Sequence, residues 1–298
     1  MERLKFKGAK GKHFWLVIGN IFLTVLTLGI YSSWAFVKEQ KYFNDNTYLL
    51  QRPFGFTGTG GELFKIVIKA LILIGLGYAV FFIIFQFAKD LVFVGMMSLY
   101  VLMFIAIIIT IHDGIKFFID STTWDQHNFE YSGDKGELTK LYVKGLVLTI
   151  LTLGIYGFWF RCEFYDFLLR NTKYKKIQFE DTSTGSEYFL LNLKGIFLTL
   201  ITCGIYGFKF FADLYRYDLE TVKIYNQDGE VKLKTSMTGM DVFKLFIGNY
   251  LIILFSFGIA APVALYRRAK FLIEHVELHE DLSILSDDSE SIEKLNLA

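Results

Sequence analysis

Three lysines stand where a lysine is costly. Lys69, Lys144 and Lys194 each fall seven residues after an acidic residue, Glu62, Glu137 and Glu187, and inside a long apolar run. An ammonium group within hydrocarbon is a functional candidate, as a site for an ion or an anionic substrate. A lysine near a helix end can also snorkel to the headgroups or pair with its own glutamate. Hydroxyls form a second set. Thr24 and Thr27, Thr149 and Thr152, and Thr199 and Thr202 are each three apart and share a helix face. Such a stripe could line a polar path. With Gly145 and Gly195 it could equally let helices approach closely, each hydroxyl bonding its own helix carbonyl. Aromatics form a third set. Tyr31, Tyr156 and Tyr206 lie about 25 Å along a helix from the start of each unit, with Trp34 and Trp159 one turn further, where an interfacial belt is expected. An aromatic binding cage is the sharper alternative.

Other chemistry is weakly represented. His275 and His279 are four apart among glutamates, but the ligand set is incomplete for a closed metal site. Gly58-Thr59-Gly60-Gly61 lacks the dinucleotide spacing, and no P-loop, nucleophile elbow or kinase set appears. No catalytic, cofactor-binding or metal-binding residue is assigned, and the chain is not expected to be an enzyme. Cys162 and Cys203 form no metal or redox motif, and no disulfide is expected. Lys+Arg is 31 against 30 Asp+Glu, so net charge gives no argument for nucleic acid.

The elements that must hold these residues are apolar. Apolar residues make up 53% of the 298, aromatics 18% and charged residues only 20%, with mean hydropathy +0.39. Soluble domains carry ~25% charged residues, so this composition fits a helical membrane protein. Six segments are long enough to span ~30 Å of hydrocarbon. They are Phe14–Val37, Phe64–Ala88, Leu91–Ile111, Leu138–Phe160, Tyr188–Phe211 and Val242–Tyr266. Backbone groups in lipid must be satisfied within their own segment, which predicts an all-α polytopic fold. Lys+Arg numbers five in the N-terminal tail, five in 161–187 and four in the C-terminal tail. That bias predicts an even number of crossings with both termini cytoplasmic. The basic, apolar N-terminus resembles a signal peptide, but its apolar segment recurs inside the chain, which argues against cleavage.

The recurrence is the most specific feature. Thr24 to Tyr31 reads TVLTLGIY, followed by Trp34; Thr149 to Tyr156 reads TILTLGIY, followed by Trp159; Thr199 to Tyr206 reads TLITCGIY. A degenerate fourth copy centres on Ser256-Phe257-Gly258-Ile259. Glu137, Glu187 and Asp241 each lie 17 residues before their motif glycine, and Gly61-Glu62 repeats the opening. An acidic residue there suits the positive end of the helix dipole. The copies cover approximately 6–50, 129–175, 179–225 and 233–278, with a divergent pair of spans at 62–111. Residues 1–278 read as one membrane domain and 279–298 as an acidic, solvated tail.

The Gly-Glu opening at Gly61-Glu62 and Gly136-Glu137, the cores Thr27 to Trp34 and Thr152 to Trp159, and the basic aromatic run Lys38 to Thr47 carry a resemblance. The pattern resembles the YjgN-like family of bacterial inner-membrane proteins, a domain of unknown function. It covers most of 6–275, with Lys209 standing where tryptophan is expected. The resemblance implies a multi-pass protein of the bacterial inner or plasma membrane and supplies no activity.

After each motif comes a basic, aromatic, amphipathic stretch, expected on the membrane surface near anionic headgroups. Val222 to Tyr225 and Val231 to Lys234 alternate around a turn, which predicts a small β-hairpin. Two topologies stay open. Each repeat segment could cross once, giving inverted neighbours around a midplane site, a transporter plan. Alternatively each bends back at its Thr-Leu-Gly break, and only Phe64–Ala88 and Leu91–Ile111 span. The first favours a transporter or channel for a small solute or lipid, the leading expectation. The second favours a non-catalytic scaffold that organises lipid. The expected partner is the bilayer; protein partners and self-association stay open.

Overall fold

The computed structural model describes residues 2–226 and 229–280. Positions 281–298, most of the acidic tail, and Gln227-Asp228 of the predicted turn lie outside the described residues.

The chain is mostly helical, but four of the six apolar segments are not single helices. Phe14–Val37 divides into α1 (Lys10–Leu26) and α2 (Ser32–Asp45). Leu138–Phe160 divides into α5 (Lys135–Leu151) and α6 (Gly157–Arg170). Tyr188–Phe211 divides into α7 (Gly185–Ile201) and α8 (Gly207–Glu220). Val242–Tyr266 divides into α9 (Gly239–Phe255) and α10 (Ala261–Glu274). The first helix of each pair has 17 residues. At 1.5 Å per residue it is ~25 Å long, short of a hydrocarbon core. Among the described residues, only α3 (Gly60–Phe87) and α4 (Val92–Ser121), of 28 and 30 residues, are long and apolar enough to cross a membrane. A 3-10 turn at Lys89–Leu91 joins them.

The fold is also not all-α. Short strands fill the connections: β1 (Glu2–Arg3), β2 (Lys5–Phe6), β3 (Thr47–Leu49), β4 (Arg52–Phe56), β5 (Thr122–Trp124) and β6 (His127–Asn128). They continue with β7 (Glu130–Tyr131), β8 (Thr172–Tyr174), β9 (Ile177–Asp181), β10 (Val222–Tyr225), β11 (Glu230–Lys234) and β12 (Glu277–Glu280). Leu50-Gln51 and Asp125-Gln126 join strand pairs with φ of 49–65°, the geometry that matches strand twist in two-residue turns. Strands of two to five residues leave little periodic signal, and most of their pairing is with distant segments.

The strands form two sheets whose edges join. One runs β1-β12-β11-β10-β9-β8-β7 and the other β2-β3-β4-β5-β6. β1 and β2 are halves of one extended segment. Glu2 and Arg3 pair with Leu278 and Glu277, while Lys5 and Phe6 pair with Tyr48 and Thr47. Leu4 between them donates to the Val276 carbonyl at 3.2 Å. The β6–β7 segment makes the same exchange, with Phe129 donating to Thr122 at 3.0 Å. The strands therefore close into a ring. Its interior is a single apolar cluster of Leu49, Trp124, Tyr174, Ile177, Val231 and Leu278, drawn from both sheets. The buried Tyr174 hydroxyl donates to the Trp124 carbonyl across the cluster at 2.7 Å.

The helices close as well. Each packs on the next from α1 to α10, and α10 packs on α1. The Tyr266 hydroxyl of α10 donates to the Gly8 carbonyl at 2.7 Å. Within the ring α2 lies on β4, α4 on β7, α6 on β9, α8 on β11 and α10 on β2.

Candidate membrane interface

The four helix turns share one geometry. In the first, Gly29 N–H donates to Thr24 at 2.8 Å and Leu28 N–H donates to Val25 at 3.1 Å. This pair of bonds is a Schellman ending, which satisfies the last helix carbonyls. The residue after the cap is left-handed: Leu28, Leu153, Cys203 and Phe257 have φ of 48–50°. The glycine that follows has φ of 87–96°. The side chain at the left-handed position projects outward. Leu28, Leu153 and Phe257 are each 94% exposed. Leucine at the position glycine usually takes is a strained choice that places an apolar group at the tip.

Thr27, Thr152 and Thr202 do more than sit on a shared face. Thr152 Oγ1 donates to Leu148 at 2.7 Å, ending α5, and accepts from Tyr156 N–H at 2.8 Å, capping α6. Thr27 and Thr202 repeat both bonds, and Ser256 accepts from Ala260 at 3.0 Å in the fourth turn. Thr24, Thr149 and Thr199 serve the turn through their carbonyls. Thr199 Oγ1 donates to Gly195 at 2.7 Å, whereas the buried Thr149 Oγ1 has no hydrogen-bond partner. Gly145 and Gly195 admit the rings of Phe160 and Phe210, so small residues do allow close approach within each hairpin.

The aromatics are only partly placed as a belt would require. Tyr31 stacks on Trp34 at 6.2 Å, and Tyr156 on Trp159 at 6.4 Å. Each tryptophan then seats on the opening glycine of the next helix. Trp34 lies against Gly60 and 5.3 Å from Phe64; Trp159 lies against Gly185 and 5.5 Å from Phe189. They are half-buried packing groups between hairpins. Tyr206 has no tryptophan partner, and the Lys209 ammonium lies 5.7 Å from its ring centre.

The acidic openings are helix caps. Glu62 accepts from Thr59 N–H at 2.8 Å and donates its own N–H to Thr59 Oγ1 at 3.3 Å, a reciprocal capping box. Asp241 does the same with Thr238. Glu187 N–H donates to Thr184, and Glu137 N–H donates to Asp134. Glu137 also pairs with Arg170 across its hairpin.

The lysines are exposed rather than buried between helices. Lys69 lies 3.7 Å from Asp113, which also pairs with Lys135 at 2.8 Å. Lys144 pairs with Glu163 at 2.7 Å, and the Tyr156 hydroxyl donates to the same carboxylate oxygen. Lys194 is exposed, and Asp213 on the facing helix pairs with Arg216 at 3.1 Å. The sequence reading missed Glu163 and Asp213, which, like Arg267 of the expected basic stretch, lie nine residues past their motif glycine. It also missed fully buried His13, 3.3 Å from Glu39. The signal was present in the constant offset. Lys144, ten residues before its glycine, pairs with Glu163, while Gly248 at that offset leaves room for Arg267.

Among the acids outside the spans with shifted titration are Asp218 and Glu277. Burial pushes Asp218 up, opposed by Arg161, its ion-pair partner. Burial acts upward on Glu277 too, but Ser236 at 2.7 Å and Arg3 at 2.5 Å outweigh it and hold this carboxyl below its usual range.

These features define a helical membrane protein: two long apolar helices, four short apolar hairpins with satisfied turns, and a ring of strands at their bases. The chain belongs to the family described as bacterial protein of unknown function (DUF898), whose profile matches residues 1–126, 126–181 and 220–287. It is 43% identical over 70 residues to the inner membrane protein YjgN of Salmonella typhimurium, which covers 24% of this chain and 18% of that protein. It is 36% identical over 59 residues to the inner membrane protein YjgN of Escherichia coli K12, covering 20% and 15%. The aligned segments thus span less than a fifth of either relative. No solved structure matches the chain.

Proposed function

We propose that the protein is a non-catalytic component of the bacterial inner membrane that organises lipid by loading one leaflet. The observation that carries this is the turn: a 94% exposed apolar residue at each of Leu28, Leu153 and Phe257, beside a backbone bonded to its own segment. Such a tip suits hydrocarbon and is ill-suited to water. Charge spacing supports the depth. Residues 70–88, between Lys69 and Lys89, are uncharged, ~28 Å of helix and close to a full hydrocarbon core. Residues 145–153, from Lys144 to the Gly154 turn, make ~14 Å, close to half of one. In this reading α3 and α4 cross as a pair, and four hairpins enter one leaflet. The strand ring stays on one side, and the excess of Lys and Arg in the tails supports the cytoplasmic side. The names of the relatives support the inner membrane as the site.

Transport of a small solute or lipid is the weaker reading. The axis of the strand ring is filled by Trp124, Tyr174 and their neighbours, and the lysines that could have lined a midplane site face outward.

The test uses single cysteines in intact cells. With Cys162→Ser and Cys203→Ser, cysteines placed at Lys175 and Gln227 should label from the same side. With Cys162→Ser alone, a probe on the native Cys203 turn should report hydrocarbon at one-leaflet depth. Labelling of 175 and 227 from opposite sides, or a water-exposed Cys203, would refute the arrangement.

A further inference from the structure

The three junctions between a motif helix and the next hairpin differ at one residue. At two of them Trp34 and Trp159 fill the space over Gly60 and Gly185, against Phe64 and Phe189. At the third, between α8 and α9, the corresponding residues are Lys209, Gly239 and Phe243. No indole is present there. Phe243 packs on Phe208, with ring centres 5.1 Å apart, as Phe189 packs on Phe158 at 5.5 Å, but without the indole. A cavity of about 620 Å³ opens, lined by Lys209, Phe208, Phe243, Ile205 and Arg216 among others. That volume lies in the range of small-molecule sites.

We infer that this cavity binds one anionic phospholipid, with its phosphate at Lys209 and an acyl chain along Phe208 and Phe243. Charge and exposure carry the assignment. Arg216 is already matched by Asp213 at 3.1 Å and by the Met237 carbonyl at 3.2 Å. Among the described residues Lys209 forms no ion pair, so it sets the sign of the site. The rim is apolar and open: Ile205 is 75% exposed, Met240 58% and Phe243 41%. A cation at one end of an apolar slot whose rim faces the lipid side suits a ligand with one anionic head and a hydrocarbon tail. The inference rests on the membrane reading above, but its test is made in detergent and does not depend on topology.

Native mass spectrometry of the detergent-solubilised full chain, with added phosphatidylglycerol, phosphatidylcholine or inorganic phosphate, provides that test. One phosphatidylglycerol should bind in preference to phosphatidylcholine. Lys209→Gln should keep the cavity and lose about fivefold of that preference, the effect of one surface lysine near an anionic headgroup. Lys209→Trp should refill the junction, abolish the adduct and raise the melting temperature. Retention of the adduct in Lys209→Trp, equal binding of the two lipids by the unmodified protein, or full displacement by phosphate at the lipid's own concentration would overturn the assignment. Should Lys209→Trp not fold, Lys209→Gln with unchanged lipid preference would overturn it alone.

Discussion

Thr152 holds two helices with one hydroxyl, donating to Leu148 and accepting from Tyr156. Valine keeps the shape and removes both bonds. Thr152→Val should cost about 1–3 kcal/mol, read as a lower unfolding midpoint in micelles, because an unsatisfied amide is left at the turn. Thr152→Ser should be close to neutral. The neighbouring glycine gives an independent check. Gly154 sits at φ +96° with open space around its Cα, so a side chain there is opposed by backbone strain alone. Gly154→Ala should cost about 1–2 kcal/mol, whereas Gly61→Ala, on a helix with equal space, should be neutral or slightly stabilising. Thr27, Thr152 and Thr202 are legible in the sequence as repeated positions. Their double role is not, because it depends on a left-handed residue between hydroxyl and amide. Lysines at constant spacing are legible too. Their partners Glu163 and Asp113 become visible only when the facing helix is placed.

Helices of different length divide the chain into two kinds of hairpin. The α3–α4 pair was readable from hydropathy alone, since 19 uncharged residues, 70–88, lead into α3's end and 91–111 are likewise uncharged. The other four apolar segments misled that criterion for a specific reason. Their helix ends carry Leu28, Leu153, Cys203 or Phe257 in the left-handed position, with glycine one residue later. Hydropathy therefore runs through the break undisturbed. The strand elements were hidden by shortness. Their stability is expected to rest on the shared core, and Tyr174 is the natural probe. Tyr174→Phe leaves the Trp124 carbonyl without its 2.7 Å donor and should cost about 1–3 kcal/mol, measurable in a chemical denaturation series.

For the whole molecule, the fastening between the first and last strands is ionic as well as hydrogen-bonded. Glu277 is 3% exposed and held by Arg3 and Ser236. Its folded pKa lies below the unfolded value, so its contribution is complete above about pH 4.3 and is lost as pH falls through the folded value. Hydrogen exchange at Glu2, Arg3 and Leu278 should therefore rise relative to the rest of the ring on acidification below pH 4. Glu277→Gln should remove that dependence. Composition made the membrane class and the helical majority evident, and the Thr-Leu-Gly-Ile-Tyr spacing made the family evident. Ring closure had no sequence signature, since Glu2 and Leu278 are joined by no pattern other than the register itself.

That register also imposes an order in time. Leu4 and its neighbours are made well before their partner Val276. At ~5–20 residues per second, roughly 14–55 s separate the two. Throughout that interval the β1–β2 segment lacks its Val276 and Leu278 partners. A chain cut short anywhere before β12 would keep an open seam. β12 thus supplies the pairing that closes the described ring, and the seam stays open until that strand is made.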